Sequence, residues 1–276
     1  VREAGLIQRK YGFKSYLDIR TLPTYSSGFI NRLESFLLKK SLQIAAKYFT
    51  GVTYITRVMQ DYCQREYKLP SHKTTVWTSG VNVNLFKPVT IYQEDHTFKL
   101  LYHGAISIRR QLDCVIRALS FLSDFNIELI LLGPGDDIES LKKLSIELNI
   151  NQHVHFLSIV DYIKVPGIIN KADVGILPFR ECPVWNTSAP IKLFESLACG
   201  KPVVVTKIPA HINVLQGKDF AFWAKSSDPV AIAKAIRTAY EAKARFEVLG
   251  KKAREFVCDN YSWEIQAKKL NKFISS

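Results

Sequence analysis

The 276-residue sequence predicts an α/β fold in which parallel sheets are covered by helices on both faces. From about Lys99 onward, short apolar runs alternate with segments whose apolar residues recur at helical spacing. The apolar runs are continuous rather than alternating, which is typical of parallel strands buried on both faces. A hydrophobic content of 47% and a charged content of 23% are ordinary for a globular protein.

Residues 1–80 are predicted to form one α/β unit. Its elements, in order, are a strand in KSYLDIR, a long helix in GFINRLESFLLKKSLQIAAKYF, a strand in VTYIT, a helix in RVMQDYCQREY and a strand in KTTVWTS. The following segment, GVNVNLFKPVTIYQEDHTF, is irregular and polar and is predicted to be a linker.

A second unit follows the linker. Its predicted strands lie in KLLYHGAI, IELILLG, VHFL, DVGILPF, PVVVTKI and FAFWAK. Its predicted helices lie in RRQLDCVIRALSFL, IESLKKLSIEL, YIKVPGIINKA, the segment around IKLFESLA and DPVAIAKAIRTAYEAK, and two more helices close the chain. Asp228 is the predicted N-cap of the helix that Pro229 begins.

The charge of the chain is +13, and residues 1–80 hold 13 Lys and Arg against 5 Asp and Glu. Such an excess suits nucleic acid, anionic lipid or phosphorylated substrates, but no nucleic-acid module signature is present. Five widely spaced cysteines argue against a disulfide framework or a zinc site and favour a reducing compartment. The sequence lacks an apolar run of membrane-spanning length, so no membrane span is expected, and it lacks a signal peptide. It begins at Val1 rather than Met, so we expect a fragment of a longer protein.

Open parallel sheets bind ligands at the carboxyl ends of their strands, and the segment HGAISIRRQLD lies at such a place. Gly104 ends a strand, and Arg109 and Arg110 are predicted to begin the next helix. Two cations there oppose the helix dipole, and a phosphate between them would resolve the conflict. An exposed basic pair is the alternative.

The segment LLGPGDD places Gly133 and Gly135 after another strand. These glycines allow either a close backbone approach to a ligand or a purely structural turn. The dinucleotide fingerprint is incomplete, because Ile138 occupies its third glycine position, and this argues against a dehydrogenase. In WTSGVNVNLFKP, Gly80 is predicted to allow a tight turn where two domains meet.

The segment NTSAPIKLFESLACGKPVVV places a lysine in the first turn of a helix. The predicted caps and first-turn residue are Asn186, Thr187, Ser188 and Pro190. The predicted apolar face is Ile191, Phe194, Leu197 and Ala198, opposite Lys192, Glu195 and Cys199. Glu195 either pairs with Lys192 one turn away, or Lys192 and the free N–H groups bind a diphosphate while Glu195 accepts hydrogen bonds from sugar hydroxyls.

These segments together resemble retaining glycosyltransferases of the GT-B fold, family 4 (glycosyl transferases group 1). WTSGVNVNLFKP resembles the NGVD…F.P signature, and APIKLFESLACGKPVVV resembles the SPxKxFEYMAxGKPVV form of the donor-binding motif. LLYHGAISIRRQLDCVIRAL, LILLGPGDDIESL and YSWEIQAKKL are similar to further elements in the family's order. The resemblance covers about residues 50–270.

The resemblance implies two Rossmann-like domains, of which the first is incomplete here, with a cleft between them. The implied limits are residues 1–88 for an acceptor-side domain, 89–259 for a nucleotide-sugar-binding domain and 260–276 for a helix that crosses back. By motif position, Arg110 matches the lysine that holds the diphosphate, and Arg110 and Lys192 are the implied catalytic residues. Glu195 matches the glutamate that contacts the ribose.

The remaining implied donor-binding residues line the sugar, the phosphates and the base. They are Gly104, Arg109, Ser158, Ile159, Val160, Thr187, Ser188, Ala189, Pro190 and Ile191. Thr187 stands where the family has the first glutamate of its E-x7-E motif, and Ala105 replaces a usual arginine, so Arg109 or Lys192 would supply the missing charge.

The resemblance implies transfer of a sugar from a nucleotide-diphospho-sugar to a glycan or lipid-linked acceptor with retention, in cell-surface polysaccharide biosynthesis. The sequence holds no D-x-D pair, so we expect neither a metal nor a cofactor, and the positive side chains would stabilise the leaving diphosphate. We expect a cytoplasmic protein. The alternative is a nucleotide-sugar-binding module that is inactive as this chain.

The basic segment NRLESFLLKKSLQIAAKYF leads to a second hypothesis. Its helix would rest on anionic lipid at the inner face of the membrane and bring the site to a lipid-linked acceptor. An ordinary helix that packs within its domain is the alternative.

Overall fold

The computed structural model describes residues 1–23, 28–69, 72–89 and 97–276, and this part of the chain divides into two compact units. Unit 1 comprises Val1–Ser79, Cys182–Ala189 and Trp263–Ser276. Unit 2 comprises Gly80–Glu181 and Pro190–Ser262. The domain limits implied by the resemblance stay a prediction.

Unit 1 is built on a three-stranded parallel sheet with the strand order β1-β2-β3. The strands are β1 (Tyr16–Ile19), β2 (Gly51–Tyr54) and β3 (Thr74–Val76). The helices are α1 (Arg2–Tyr11), α2 (Gly28–Tyr48), α3 (Arg57–Tyr67), α7 (Pro183–Asn186) and α12 (Trp263–Ser275).

The core of unit 1 lies around the central strand β2. Val52 and Tyr54 of this strand are fully buried. The next residues turn into α3, where Thr56 is extended and its Oγ1 accepts from the Met59 N–H at 3.0 Å, which is an N-cap. This cap accounts for the start of α3 at the predicted residue, Arg57.

Unit 2 is built on a six-stranded parallel sheet with the order β6-β5-β4-β7-β8-β9. The strands are β4 (Phe98–His103), β5 (Ile127–Leu132), β6 (Val154–Leu157), β7 (Val174–Leu177), β8 (Val203–Thr206) and β9 (Ala221–Ala224). The helices are α4 (Leu112–Ser120), α5 (Ile138–Glu147), α6 (Val165–Asn170), α8 (Ile191–Ala198), α9 (Pro209–Leu215), α10 (Pro229–Glu241) and α11 (Phe246–Tyr261).

The order of the sheet reverses between β4 and β7. The chain goes outward from β4 through β5 to β6, returns to pair β7 with β4, and then goes outward to β9. Ligands bind at the carboxyl ends of strands at such a switch point. A ligand site in unit 2 is therefore expected in the segments that follow β4 and β7.

The predicted α/β fold class, with parallel sheets flanked by helices, is confirmed. The bounds of α3 and β6 are as predicted, and Asp228 caps α10 through its Oδ1, which accepts from Val230 N at 2.9 Å and Ala231 N at 3.3 Å. Gly80–Val89 of the predicted linker forms no helix, and residues 90–96 lie outside the described part. The sequence interpretation missed α1, α7 and α9.

Two local predictions are wrong. Arg109 and Arg110 do not begin α4; they lie in a 3-10 turn, Ile108–Arg110, and Gln111 at φ 57° separates that turn from the helix. Asn186, Thr187 and Ser188 do not cap α8, because Pro190 is its N-cap and no side chain bonds to its first turn. The hydroxyl groups of Thr187 and Ser188 instead donate backward to the carbonyls of α7.

Candidate functional site

The first turn of α8 brings Lys192 to the carboxyl end of β4. Its Nζ donates to the hydroxyl of Tyr102 at 2.8 Å and lies 4.1 Å from the centroid of that ring. Gly104 makes room for it, since a Cβ there would lie 2.7 Å from the Lys192 Nζ, and the φ of Gly104 is +117°. A lysine at the positive end of a helix is thus held by an aromatic ring and a hydroxyl group.

A second cation joins Lys192 around a buried ring that follows β7. The Arg110 guanidinium lies 5.3 Å and the Lys192 ammonium 5.8 Å from the ring centroid of Phe179. Burial and the nearby Arg110 charge hold the pKa of Lys192 well below its ordinary value, and the Glu195 carboxylate opposes this shift. An anion bound beside these cations would stabilise both of them.

Glu195 lies one turn further along α8 and is buried, which corrects its predicted place on a polar face. Its Oε2 lies 2.8 Å from Nε2 of His103, and its Oε1 accepts from the Tyr162 hydroxyl at 2.7 Å. Burial and this hydrogen bond raise the pKa of Tyr162. Glu195 therefore has partners other than Lys192, and the alternative of a simple Lys192–Glu195 pair is not the arrangement found.

The remaining residues of α8 follow the predicted pattern only in part. Phe194, Leu197 and Ala198 are buried as predicted, and the Phe194 ring stacks on Tyr261 at 4.5 Å. Ile191 is 43% exposed, so its assignment to the apolar face is wrong. Cys199, assigned to the opposite side, is buried and lies at the end of the helix.

The glycines after β5 pack against the loop after β4. A Cβ on Gly133 or Gly135 would overlap the carbonyl oxygens of Gly104 or Ile106. The Ile106 N–H also donates to the Pro134 carbonyl at 2.8 Å. This geometry favours the structural alternative for both glycines, because the close approach is made by the chain itself.

Other residues predicted for the donor site lie in different surroundings. Ser158, Ile159 and Val160 follow β6, and Ile159 is 72% exposed. Gly80 is buried, is the first residue of unit 2, and is not one of the described glycines with positive φ.

The residues Thr187, Ser188 and Ala189 belong to unit 1. Thr187 is 1% exposed, its hydroxyl donates to the Pro183 carbonyl at 2.8 Å, and its own carbonyl accepts from Thr56 Oγ1 at 2.8 Å. The Ala189 carbonyl accepts from the Ser79 hydroxyl at 3.0 Å. Within unit 1, the hydroxyl group of Thr187, at the position where the resemblance implies a glutamate, is thus bonded to backbone.

Sequence reasoning missed four aromatic and imidazole side chains of this site. They are Tyr102, His103, Tyr162 and Phe179. A signal was available for Tyr102 and His103, because polar groups end the apolar run KLLYH immediately before Gly104.

Among the described residues, no group of three His, Cys, Asp or Glu side chains is placed to hold a metal ion, and no helix has the length and apolarity needed to cross a membrane.

The family model described as "Glycosyl transferases group 1" matches residues 90–256. An uncharacterized glycosyltransferase of Methanocaldococcus jannaschii is 24% identical over 214 residues, which cover 73% of this chain and 54% of that protein. A GDP-mannose-dependent monoacylated alpha-(1-6)-phosphatidylinositol monomannoside mannosyltransferase of Corynebacterium glutamicum is 25% identical over 265 residues, which cover 87% of this chain and 66% of that protein.

The structure is also similar to that of HepE from Anabaena in complex with UDP, with a TM-score of 0.83 and 14% identity. The match covers 99% of this chain and 75% of HepE. A likeness at this identity shows the fold. The chain spans about half to two thirds of the length of the two sequence relatives above.

Proposed function

Since this chain belongs to the glycosyl transferases group 1 family, we propose that it transfers a sugar from a nucleotide-diphospho-sugar to a glycan or lipid-linked acceptor, with retention at the anomeric carbon and without a metal or another cofactor. The observation that carries the proposal is the convergence of Lys192 and Arg110 on Phe179 at the carboxyl end of β7. Two cations and the first turn of α8 form a place for a diphosphate.

The proposed mechanism is electrostatic. As the bond between the sugar and the diphosphate breaks, negative charge grows on the leaving phosphate oxygens. Lys192, Arg110 and the backbone N–H groups at the start of α8 would stabilise that charge. Glu195 would accept hydrogen bonds from the ribose, and the backbone of Ser158–Val160 would contact the base, as the resemblance implies. The roles of Arg109, Pro190 and Ile191 toward the donor, and those of Thr187, Ser188 and Ala189, stay predictions.

The first experiment measures donor binding and turnover. A thermal-shift screen of the protein against UDP-, GDP- and ADP-sugars selects the donor, and a chelator should leave turnover unchanged. Lys192→Ala combined with Arg110→Ala should lower donor turnover at least about a hundredfold, as the loss of one preorganised donor does. Lys234→Ala, which removes an exposed cation of α10, is the control.

Three outcomes would contradict parts of this proposal. Undiminished donor turnover by the double variant would refute the roles of Lys192 and Arg110. A product with inverted anomeric configuration, seen by NMR, would refute retention. Binding of a nucleotide sugar with no transfer to any acceptor would favour the alternative, a nucleotide-sugar-binding module.

A peripheral contact with anionic membrane is the second part of the proposal. On α2, Ile30, Leu33, Phe36 and Leu37 are exposed by 44% to 59%, and Lys40 is exposed beside them. An apolar stripe flanked by cations is typical of helices that lie in the membrane interface. Such a contact would bring a lipid-linked acceptor to the enzyme and would place the protein at the inner face of the membrane.

Vesicle co-sedimentation tests the membrane contact. The protein should sediment with vesicles that contain phosphatidylglycerol and much less with phosphatidylcholine alone. Phe36→Glu with Leu37→Glu should abolish this binding, whereas Val248→Glu, at an equally exposed apolar residue of α11, should not. Absence of binding to the anionic vesicles would refute the contact.

A further inference from the structure

Two consecutive residues at the end of β4 bond to two side chains of α8 that lie one turn apart. Tyr102 accepts from Lys192 at 2.8 Å, and His103 lies 2.8 Å from Glu195. These are the two side chains to which the proposed function gives the diphosphate and the ribose. The end of one strand therefore contacts both parts of the proposed nucleotide site.

The hydroxyl group of Tyr102 has a fixed orientation. It donates to the carbonyl of Ala105 at 2.9 Å, so its oxygen is left to accept from the Lys192 ammonium. The ring is fully buried, and burial raises the pKa of Tyr102 to about 12, so the hydroxyl keeps its proton. Lysine has a long and flexible side chain, and this bond limits the positions of its ammonium group before any anion binds.

The imidazole of His103 acts on the other side chain. When Glu195 is ionised, its carboxylate only accepts hydrogen bonds, and the His103 ring nitrogen beside it is then the donor. His103 occupies one lone pair on Oε2, and the Tyr162 hydroxyl occupies one on Oε1. A carboxylate offers about four such positions, so two remain for the hydroxyl groups of a ribose.

We propose that Tyr102 and His103 are separate positioning residues for the two halves of the nucleotide. Tyr102 places the Lys192 ammonium for the diphosphate, and His103 orients the Glu195 carboxylate for the ribose. The inference rests on the proposed function. Its consequence is that the two residues control two different affinity ratios, although they are neighbours in the chain.

The experiment measures binding by calorimetry with UDP, GDP and ADP, and continues with the nucleotide that the wild-type protein binds. The phosphate ratio is the dissociation constant of the monophosphate divided by that of the diphosphate. The ribose ratio is the dissociation constant of the 2′-deoxy diphosphate divided by that of the diphosphate. Because hydrogen bonds to charged groups are involved, both ratios should be about tenfold or more in the wild-type protein.

Each variant should then change one ratio. Tyr102→Phe keeps the ring and removes the hydroxyl, so it should lower the phosphate ratio by about fivefold and leave the ribose ratio unchanged. His103→Asn has an amide too short to reach Glu195, so it should lower the ribose ratio and leave the phosphate ratio unchanged. His103→Gln restores a donor near the position of Nε2 and should restore the ribose ratio. Tyr102→Phe remains a test even if the buried His103 variants do not fold.

The outcomes separate this inference from the proposed function. If the wild-type protein binds none of the diphosphates, the proposed function fails and the inference fails with it. If it binds one and both variants lower both ratios equally, or neither variant lowers either ratio, the proposed function stands and the positioning roles are refuted. A split by residue, with rescue by His103→Gln, supports them.

Discussion

Gly104→Ala tests whether the position of Lys192 matters for the proposed diphosphate site. A Cβ at Gly104 would lie 2.7 Å from the Lys192 Nζ, and ordinary contact begins at 3.4 Å, so the ammonium must retreat by at least 0.7 Å. Its bond to the Tyr102 hydroxyl is 2.8 Å long and would be strained or lost by such a shift. A misplacement of about 1 Å can cost about a hundredfold in rate.

The backbone contributes a second effect, which needs its own control. Gly104 has φ +117°, where an alanine is strained by about 1–3 kcal/mol. Gly217 has φ +74° in the same unit, and a Cβ there would meet nothing within 4 Å. Gly217→Ala should therefore lower the free energy of unfolding by about 1–2 kcal/mol without touching the site.

The assay pairs urea unfolding with nucleoside diphosphate binding and donor turnover. Both alanine variants should be destabilised, and only Gly104→Ala should lose diphosphate affinity and turnover, by about tenfold to a hundredfold. Equal affinity and equal turnover in the two variants would refute the reasoning, because the ammonium of Lys192 would then tolerate displacement.

Three further predictions follow from burial and charge. The lowered pKa of Lys192 should be raised when a diphosphate binds, so calorimetry in buffers of different ionisation enthalpy should detect proton uptake. The affinity for the diphosphate should fall as pH rises through the pKa that Lys192 has in the free protein. Equal heats of binding in all buffers would contradict this prediction. Burial lowers the pKa of His211 from 6.5 to about 4, so between these pH values the unfolded state binds more protons than the folded state. The free energy of unfolding should therefore fall by about 3 kcal/mol as pH drops from 6.5 to 4. His211→Asn should flatten this dependence of stability on pH, and an unchanged dependence would exclude His211 as its source. Arg254 donates hydrogen bonds to the carbonyls of Val83, Phe86 and Ala198. Arg254→Met should therefore lower the free energy of unfolding, measured with urea, by about 3 kcal/mol. A decrease below about 1 kcal/mol would show that water replaces these bonds.

The sequence predicted best those elements whose signals are local. The cap residues Thr56 and Asp228 bond to their own helices, so α3 and α10 begin where the residue types indicate. Short helices such as α7 and α9 carry too few turns for an apolar period to show. Continuous apolar strands identified the parallel sheet, because both faces of such a sheet are buried.

The sequence predicted only those residues of the candidate site that lie close together in the chain. Lys192 and Glu195 stand out because they share one helix with unusual charge placement. Their partners are distant in the chain: Tyr102 lies 90 residues from Lys192, His103 lies 92 from Glu195, and Tyr162 lies 33 from Glu195. Such pairs depend on which strands become neighbours in the sheet, and residue spacing alone does not determine that.

The partners change the explanation for a lysine in the first turn of α8. If Glu195 neutralised Lys192, an arriving diphosphate would have to compete with a carboxylate for the ammonium. Glu195 is instead held by His103 and Tyr162, while Lys192 rests on the ring and hydroxyl of Tyr102. A neutral hydroxyl is a weaker partner for an ammonium than a carboxylate or a phosphate is. The Lys192 side chain is thus positioned without a carboxylate partner, and the unfavourable place of its ammonium at the positive end of a helix strengthens its attraction for an anion.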